Sequence, residues 1–259
     1  MRIAAGIEYD GTAFCGWQRQ QGVRTVQEAV ERAFSVVADH AVTAVCAGRT
    51  DTGVHATAQV VHFDTSARRS LRSWTLGANS NLPSEVVVRW VREVPERFHA
   101  RFSARARAYR YVILNRWVRP ALLRDRVTWL HHRLDVQQMR SAASLLLGRH
   151  DFSTFRALQC QAKSPVRTLH RCEVTRVGDL VYIDVEADGF LHHMVRNIAG
   201  VLMAVGKGDR DPQWVAELLA LKDRTRGGVT APPQGLYFTR VVYGPQWALP
   251  QEAVLPRFA

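Results

Sequence analysis

Residues Gly48 to Ala56 of this 259-residue chain read Gly-Arg-Thr-Asp-Thr-Gly-Val-His-Ala, and they concentrate more potential chemistry than any other stretch. Two glycines flank an arginine and an aspartate between two apolar runs, so the chain can turn sharply and present the Asp51 carboxylate at a sheet edge. A carboxylate so placed can stabilise a developing positive charge, attack an electron-poor carbon or remove a proton. The same residues also suit a plain hairpin in which Asp51 bonds its own backbone. Spacing alone leaves both readings open.

Other reactive types are sparse. Cys15, Cys46, Cys160 and Cys172 form no C-x-x-C pair and are too few for a disulfide scaffold, so they are expected as reduced thiols, mostly buried. His192 and His193 are adjacent, and adjacent side chains on a helix or strand point about 100° or 180° apart, which does not suit joint ligation of one ion. No metal site is expected. The chain has no G-x-G-x-x-G loop, no Walker A loop and no H-E-x-x-H pair, and no cofactor is expected.

Charge is the second strong signal. The net charge is +12, and between Arg97 and Arg133 ten arginines face one acid, Asp125, so this segment supplies +9 of it. Only three of the 35 basic residues are lysines, leaving mostly planar guanidinium forks that bind phosphate through paired hydrogen bonds and stack on bases. A polyanionic partner follows. The 47 % apolar content is ample for a core, and the longest apolar run, Ile198 to Gly206, is far short of a bilayer span. With no signal-like N-terminus, the expectation is a cytoplasmic protein with no membrane partner.

The elements that must position Asp51 can be read from periodicity. Arg2 to Tyr9 alternates as a strand, and Thr25 and Glu28 suggest a capping box before a helix through Val26, Ala29, Val30, Ala33, Phe34 and Val37. Strands are expected at Val42 to Ala47, Thr57 to Phe63 and Val86 to Val91, with a helix from about Ser70 to Ala78. A second pass has a strand at Arg107 to Asn115, a helix capped by Asp135, and a hairpin of Leu169 to Arg176 with Val181 to Glu186 across Gly178-Asp179. Helices at His193 to Val205 and Pro212 to Leu221 follow, then a strand at Tyr237 to Val242. The fold expected is α+β: two split-βαβ halves, ferredoxin-like or RRM-like, with antiparallel sheets forming a central basic cleft. Its boundaries are residues 1–104, 105–246 and a surface tail, 247–259. Trp17, Trp74, Trp90 and Trp129 are expected in the core or an interface.

The Asp51 segment resembles the catalytic motif of the TruA-type tRNA pseudouridine synthases. So do Tyr9-Asp10-Gly11, Gly16-Trp17-Gln18-Arg19-Gln20, Phe98-His99-Ala100-Arg101-Phe102-Ser103-Ala104, Tyr109-Arg110-Tyr111, His192-His193-Met194-Val195-Arg196-Asn197 and Gly235-Leu236-Tyr237, in the same order and spacing. The likeness covers about residues 2 to 243. It implies an isomerase that converts uridine to pseudouridine at positions 38 to 40 in the anticodon stem-loop of tRNA, by breaking the C1′–N1 bond, turning the base and joining C1′ to C5. Nothing is added or removed, which agrees with the absence of cofactor motifs.

Roles also follow from the resemblance. Asp51 is the essential carboxylate, and because it must stay charged in a closed site, a cation is needed beside it. Arg196 matches the arginine with that duty. Tyr109 matches the tyrosine that stacks on the target base and is placed to help proton transfer at C5. Arg49 matches the residue that holds the flipped nucleotide or fills its place, flipping itself costing a few kcal/mol. Phe98, His99, Ala100, Arg101 and Phe102, with Gln159, Cys160, Gln161, Ala162 and Lys163, correspond to stretches that touch RNA. Arg69, Arg105 and Arg107 join Arg101 as phosphate contacts, and Lys163 and His55 are further contacts. A homodimer gripping one tRNA is implied as well. The alternative is a non-catalytic RNA-binding protein using the same basic cleft, for which Asp51 would be dispensable. A metal-dependent nuclease is poorly served, since no carboxylates cluster at ligand spacing near the basic segment.

Overall fold

The computed structural model describes residues 1–258. Along the chain run β1 (Arg2–Tyr9), α1 (Val26–Ala38), β2 (Val45–Cys46), β3 (His55–Asp64), α2 (Leu71–Asn81), β4 (Val86–Val94) and β5 (Ala104–Asn115). Then come β6 (Thr128–Leu130), α3 (Val136–Ser144), β7 (Gly148–Asp151), β8 (Val166–Val177), β9 (Leu180–Ala187), α4 (Met194–Gly206), α5 (Trp214–Leu221) and β10 (Leu236–Tyr243). The fold is mixed α+β with mostly antiparallel strand pairing. Two compact units emerge among the described residues: Met1–Arg107 with Tyr237–Pro256, and Ala108–Leu236 with Arg257 and Phe258.

In the first unit β1 lies between β4 and β3, antiparallel to both. The short β2 pairs antiparallel with β3, and β10 pairs parallel with it through Tyr237↔His55 and Phe238↔Ala56. Strand β1 is buried on both faces, with Ile3, Ala4, Ala5 and Ile7 all 0 % exposed. Helices α1 and α2 meet the sheet through Phe34, Phe63 and Trp74, each at most 1 % exposed, with ring centroids 4.6 to 6.1 Å apart. Such an aromatic trio joins large burial to favourable tilted ring geometry. Ser70 caps α2 by accepting the Ser73 N–H at 3.0 Å. The expected capping box on α1 does not form: Thr25 is the N-cap, but its buried hydroxyl accepts no cap hydrogen bond and has no partner.

From Tyr237 the last strand belongs to this first unit, whereas the sequence pattern placed it in a second half running over residues 105–246. Residues after Tyr243 do not lie loose either. Leu249 is buried, the Val254 N–H bonds the Thr239 carbonyl at 3.2 Å, and the Thr57 hydroxyl donates to the Val254 carbonyl. An expected surface tail thus adds to the fold beside β3.

In the second unit β8 pairs antiparallel with both β7 and β9, and β6 pairs parallel with β5. Asp135 caps α3 as expected, its carboxylate accepting from Gln137 N at 2.8 Å and Gln138 N at 3.1 Å. The β8–β9 hairpin turns at Gly178, φ 56°. Strands β6 and β7, three and four residues long, were not visible in the pattern.

Trp17 and Trp74 are core residues, whereas Trp129 is 39 % exposed. All four cysteines are free, Cys46 and Cys172 buried and Cys15 and Cys160 half-buried. No helix among the described residues is long and apolar enough to cross a membrane.

Candidate active site

The loop between β2 and β3 carries Asp51, and the first unit locks it from several sides. The Ala47 N–H bonds the Val60 carbonyl at 2.8 Å, and the Gln59 side-chain amide bonds both backbone groups of Gly48. Thr50 is buried; its hydroxyl lies 2.8 Å from the Tyr9 hydroxyl, and its carbonyl accepts the Trp17 N–H at 3.0 Å. Beyond the aspartate, the Val54 N–H closes a turn onto the Asp51 carbonyl at 3.1 Å, with Gly53 at φ 76°. The loop is therefore a turn, as the plain hairpin reading requires, but one braced by β1, β3 and the 11–17 segment. Asp51 is half-buried and Arg49 exposed.

His55, the first residue of β3, is 2 % exposed, accepts the Gly11 N–H at Nδ1 (3.1 Å) and stacks on Tyr237 at 4.7 Å. Burial removes it as a direct RNA contact. It braces the same loop from the far end. Cys46, at the other end, has its thiol pushed up to about 12 by burial and so stays neutral at physiological pH.

The Phe98–Phe102 stretch divides by burial. Phe98 and Ala100 are completely buried, Phe98 packing on Tyr243 and Trp247 at 5.2 Å each. His99 is half-buried, with its ring stacked on Phe102 at 4.3 Å and 28°. Phe102 is 75 % exposed, with the Arg101 guanidinium 5.6 Å from its ring. An exposed ring stacked on a half-buried imidazole, with an arginine at its side, suits an unstacked nucleobase.

The arginines also divide. Arg101 and Arg105 are exposed. Arg107, expected on a phosphate, instead spends its guanidinium on the backbone carbonyls of Ala104 (3.3 Å), Ala47 (3.2 Å) and Arg101 (2.5 Å). It ties the Phe102 loop to the approach of the Asp51 loop. Arg69 is exposed, with Nε on the Val37 carbonyl at 3.3 Å. Arg110 is buried and forms a two-pronged ion pair with Asp184 at 2.8 Å on each arm, its guanidinium 4.5 Å from the Tyr182 ring.

In the second unit Tyr109 lies on β5, 8 % exposed, edge-on to Phe190 at 5.1 Å and 84°. Arg196 occupies the first turn of α4, half-buried; its Nε donates to the Ala231 carbonyl at 2.8 Å, and its own carbonyl accepts the Ala231 N–H at 3.1 Å. One turn on, Gly200 lets the 229–231 segment lie against the helix, since a Cβ there would be 1.8 Å from the Val229 carbonyl oxygen. The His192 and His193 rings do not diverge as adjacent side chains on a regular element would. His193 takes φ 62°, a left-handed conformation, and the ring centroids come within 4.1 Å. The 159–163 stretch is a loop outside any regular element: Gln159, Gln161 and Lys163 are exposed, Cys160 and Ala162 half-buried. It is anchored where the Ala157 N–H bonds the His192 carbonyl at 2.8 Å.

Comparison with known proteins places the chain in a family. The family model described as tRNA pseudouridine synthase matches residues 5–103 and 142–244, and the chain belongs to that family. Relatives named tRNA pseudouridine synthase A are 60 % identical in Methylococcus capsulatus, over 98 % of this chain and 94 % of that protein, and 58 % identical in Nitrosococcus oceani, over 97 % of each. A third, from Pseudomonas aeruginosa, is 55 % identical over 99 % of this chain and 90 % of its own length.

Proposed function

We propose that the protein isomerises uridine to pseudouridine at positions 38 to 40 of the tRNA anticodon stem-loop, with Asp51 as the essential carboxylate. Family membership supports the reaction class. The observation that supports the residue is the bracing of its loop: Gly48, Thr50 and Val54 are each held by bonds from within the first unit, while Asp51 at the turn remains half-exposed.

The reaction breaks C1′–N1 and makes C1′–C5; the C5 proton leaves to solvent and N1 takes up a proton, so the product has the composition of the substrate. As the base departs, C1′ becomes electron-poor, and the Asp51 carboxylate stabilises it, bonds to it or takes the 2′ hydrogen. Arg196 is the proposed counter-charge for the Asp51 carboxylate, its side chain already directed by the Ala231 carbonyl. Tyr109 is the proposed stacking partner of the turned base, and Arg49, exposed two residues before Asp51, the group that holds the flipped nucleotide or fills its place. Arg101, Phe102 and Arg105 in the first unit, and Gln159, Gln161 and Lys163 in the second, offer exposed side chains for RNA.

The test incubates the protein with tRNA carrying tritium at uridine C5. Release of tritium to water is expected from tRNA with uridine at 38, 39 or 40, and Asp51→Ala abolishes it while tRNA still binds. An Asp51→Ala protein that releases tritium at the parent rate overturns the assignment, and binding without any release in the parent leaves the RNA-binding alternative.

A further inference from the structure

We infer that Gln59 is a positioning residue for the reaction, holding the Asp51 loop in its working shape. The inference rests on Asp51 as the catalytic carboxylate. Strands β2 and β3 pair through Val45↔His62 and Cys46↔Val61, and the Ala47 N–H still reaches the Val60 carbonyl at 2.8 Å. The next rung would join Gly48 to Gln59. At Gly48 the Gln59 side chain takes over the pairing: its Nε2 donates to the Gly48 carbonyl at 2.6 Å, and its Oε1 accepts the Gly48 N–H at 3.4 Å. The same Oε1 accepts the Val60 N–H at 3.2 Å.

A carboxamide is suited to this place because it offers a donor and an acceptor side by side, as a backbone amide pair does. By standing in for the main chain, it bonds Gly48 while the chain leaves the ladder and turns toward Asp51. Gln59 is 0 % exposed, so it touches neither RNA nor reacting atoms, and whatever it contributes is passed through Gly48. A displacement of an ångström at a reacting group lowers rate far more than affinity.

An internal comparison makes the role testable. Asn79 on α2 makes the same double bond elsewhere in the first unit: its Nδ2 donates to the Val88 carbonyl at 2.9 Å and its Oδ1 accepts the Val88 N–H at 2.7 Å. That brace ties a helix to β4 and bears on no part of the Asp51 loop. Gln59→Leu and Asn79→Leu therefore each remove a carboxamide brace of the same chemistry, and only one of them adjoins the candidate active site.

The full-length variants are compared for single-turnover tritium release at saturating enzyme, for tRNA affinity and for urea stability. Gln59→Leu is expected to slow release about tenfold or more with tRNA affinity within about twofold, while Asn79→Leu loses stability and keeps its rate. If Gln59→Leu does not fold, Gln59→Glu has the same expectation, since it keeps the acceptor for the two N–H groups but sets an oxygen against the Gly48 carbonyl. The inference is overturned if the Gln59 variants turn over within about twofold of the parent, if weaker tRNA binding accounts for the whole loss, or if Asn79→Leu slows release equally. An active Asp51→Ala would instead remove the reading beneath it, a separate result from any Gln59 rate.

Discussion

Gly16 lies so close to Thr50 that a Cβ built on it would stand 2.7 Å from the Thr50 carbonyl oxygen and 3.1 Å from the carbonyl carbon of Asp51. Its φ of +81° is also one that side chains rarely adopt. The 11–17 segment thus supports the Asp51 loop by backbone contact, and a single methyl group would push the two apart.

Gly16→Ala is accordingly expected to cost about 1 to 3 kcal/mol of stability and to slow tritium release with little change in tRNA affinity. Gly22→Ala is the matched comparison: it has nearly the same φ, +77°, but nothing within 4 Å of the added Cβ. It should cost about 1 kcal/mol and leave the rate unchanged. Urea unfolding and single-turnover release on both variants separate backbone strain from displacement of Asp51, and equal rates in the two would refute the displacement.

Arg101 and Arg107 should differ although they are six residues apart in one basic stretch. Arg101 is exposed beside Phe102, so Arg101→Ala should weaken tRNA binding and lower the slope of log affinity against log salt by about 1. Arg107 bonds three carbonyls, so Arg107→Ala should cost stability and rate but leave that slope unchanged. Binding titrations over a series of salt concentrations decide between them. A reduced slope in Arg107→Ala would return it to the phosphate contacts.

What could be read from the sequence was what short-range pattern controls. Alternation located β1, a helical period located α1, and Asp135 before Gln137 and Gln138 announced the α3 cap. The Asp51 loop was legible because glycines, aspartate and flanking strands are neighbours in the chain. The supports were not. Gln59 sits on a strand where any polar residue looks like an outward one, and its bond to Gly48 depends on a ladder that ends one rung early. Arg107 and Arg110 look alike until Ala47 and Asp184 are brought to them from 60 and 74 residues away. Thr25 and Glu28 had the spacing of a capping box, but the Thr25 hydroxyl makes no cap bond. The meeting of His192 and His193 rests on one left-handed φ that no residue type announces.

The Arg110–Asp184 pair gives a stability prediction. Both side chains are about a tenth exposed or less, and the guanidinium bonds the carboxylate through two arms. Removing one partner leaves the other charge buried without its mate, so Asp184→Leu should cost about 3 to 5 kcal/mol in urea unfolding. Adding Arg110→Met to Asp184→Leu should recover much of that loss, since the uncompensated charge goes with it. A double variant less stable than Asp184→Leu would show that Arg110 is not left as an uncompensated charge in the single variant.

His62 should make the protein less stable in mild acid. The ring is 4 % exposed, its Nδ1 accepts the Ala100 N–H at 3.1 Å, and the His99 ring lies 4.7 Å away. Burial, and then repulsion from Arg2 and His99, lower its pKa to about 4, against about 6.5 in an unfolded chain. The folded pKa lies below the unfolded one, so the unfolded chain takes the proton first. Stability from this group is complete above about pH 6.5 and is lost as pH falls toward 4, by an amount on the order of 2 kcal/mol once solvent screening is allowed for. Asp64, held below its usual range by the Arg2 hydrogen bond, loses its contribution only at lower pH. His62→Asn keeps an acceptor of similar reach for the Ala100 N–H but cannot take the proton. Its stability difference from the parent should therefore shift in the variant's favour between pH 7 and 4.5, measured by urea unfolding at each pH. A constant difference across that range would show that His62 takes no part in the acid response.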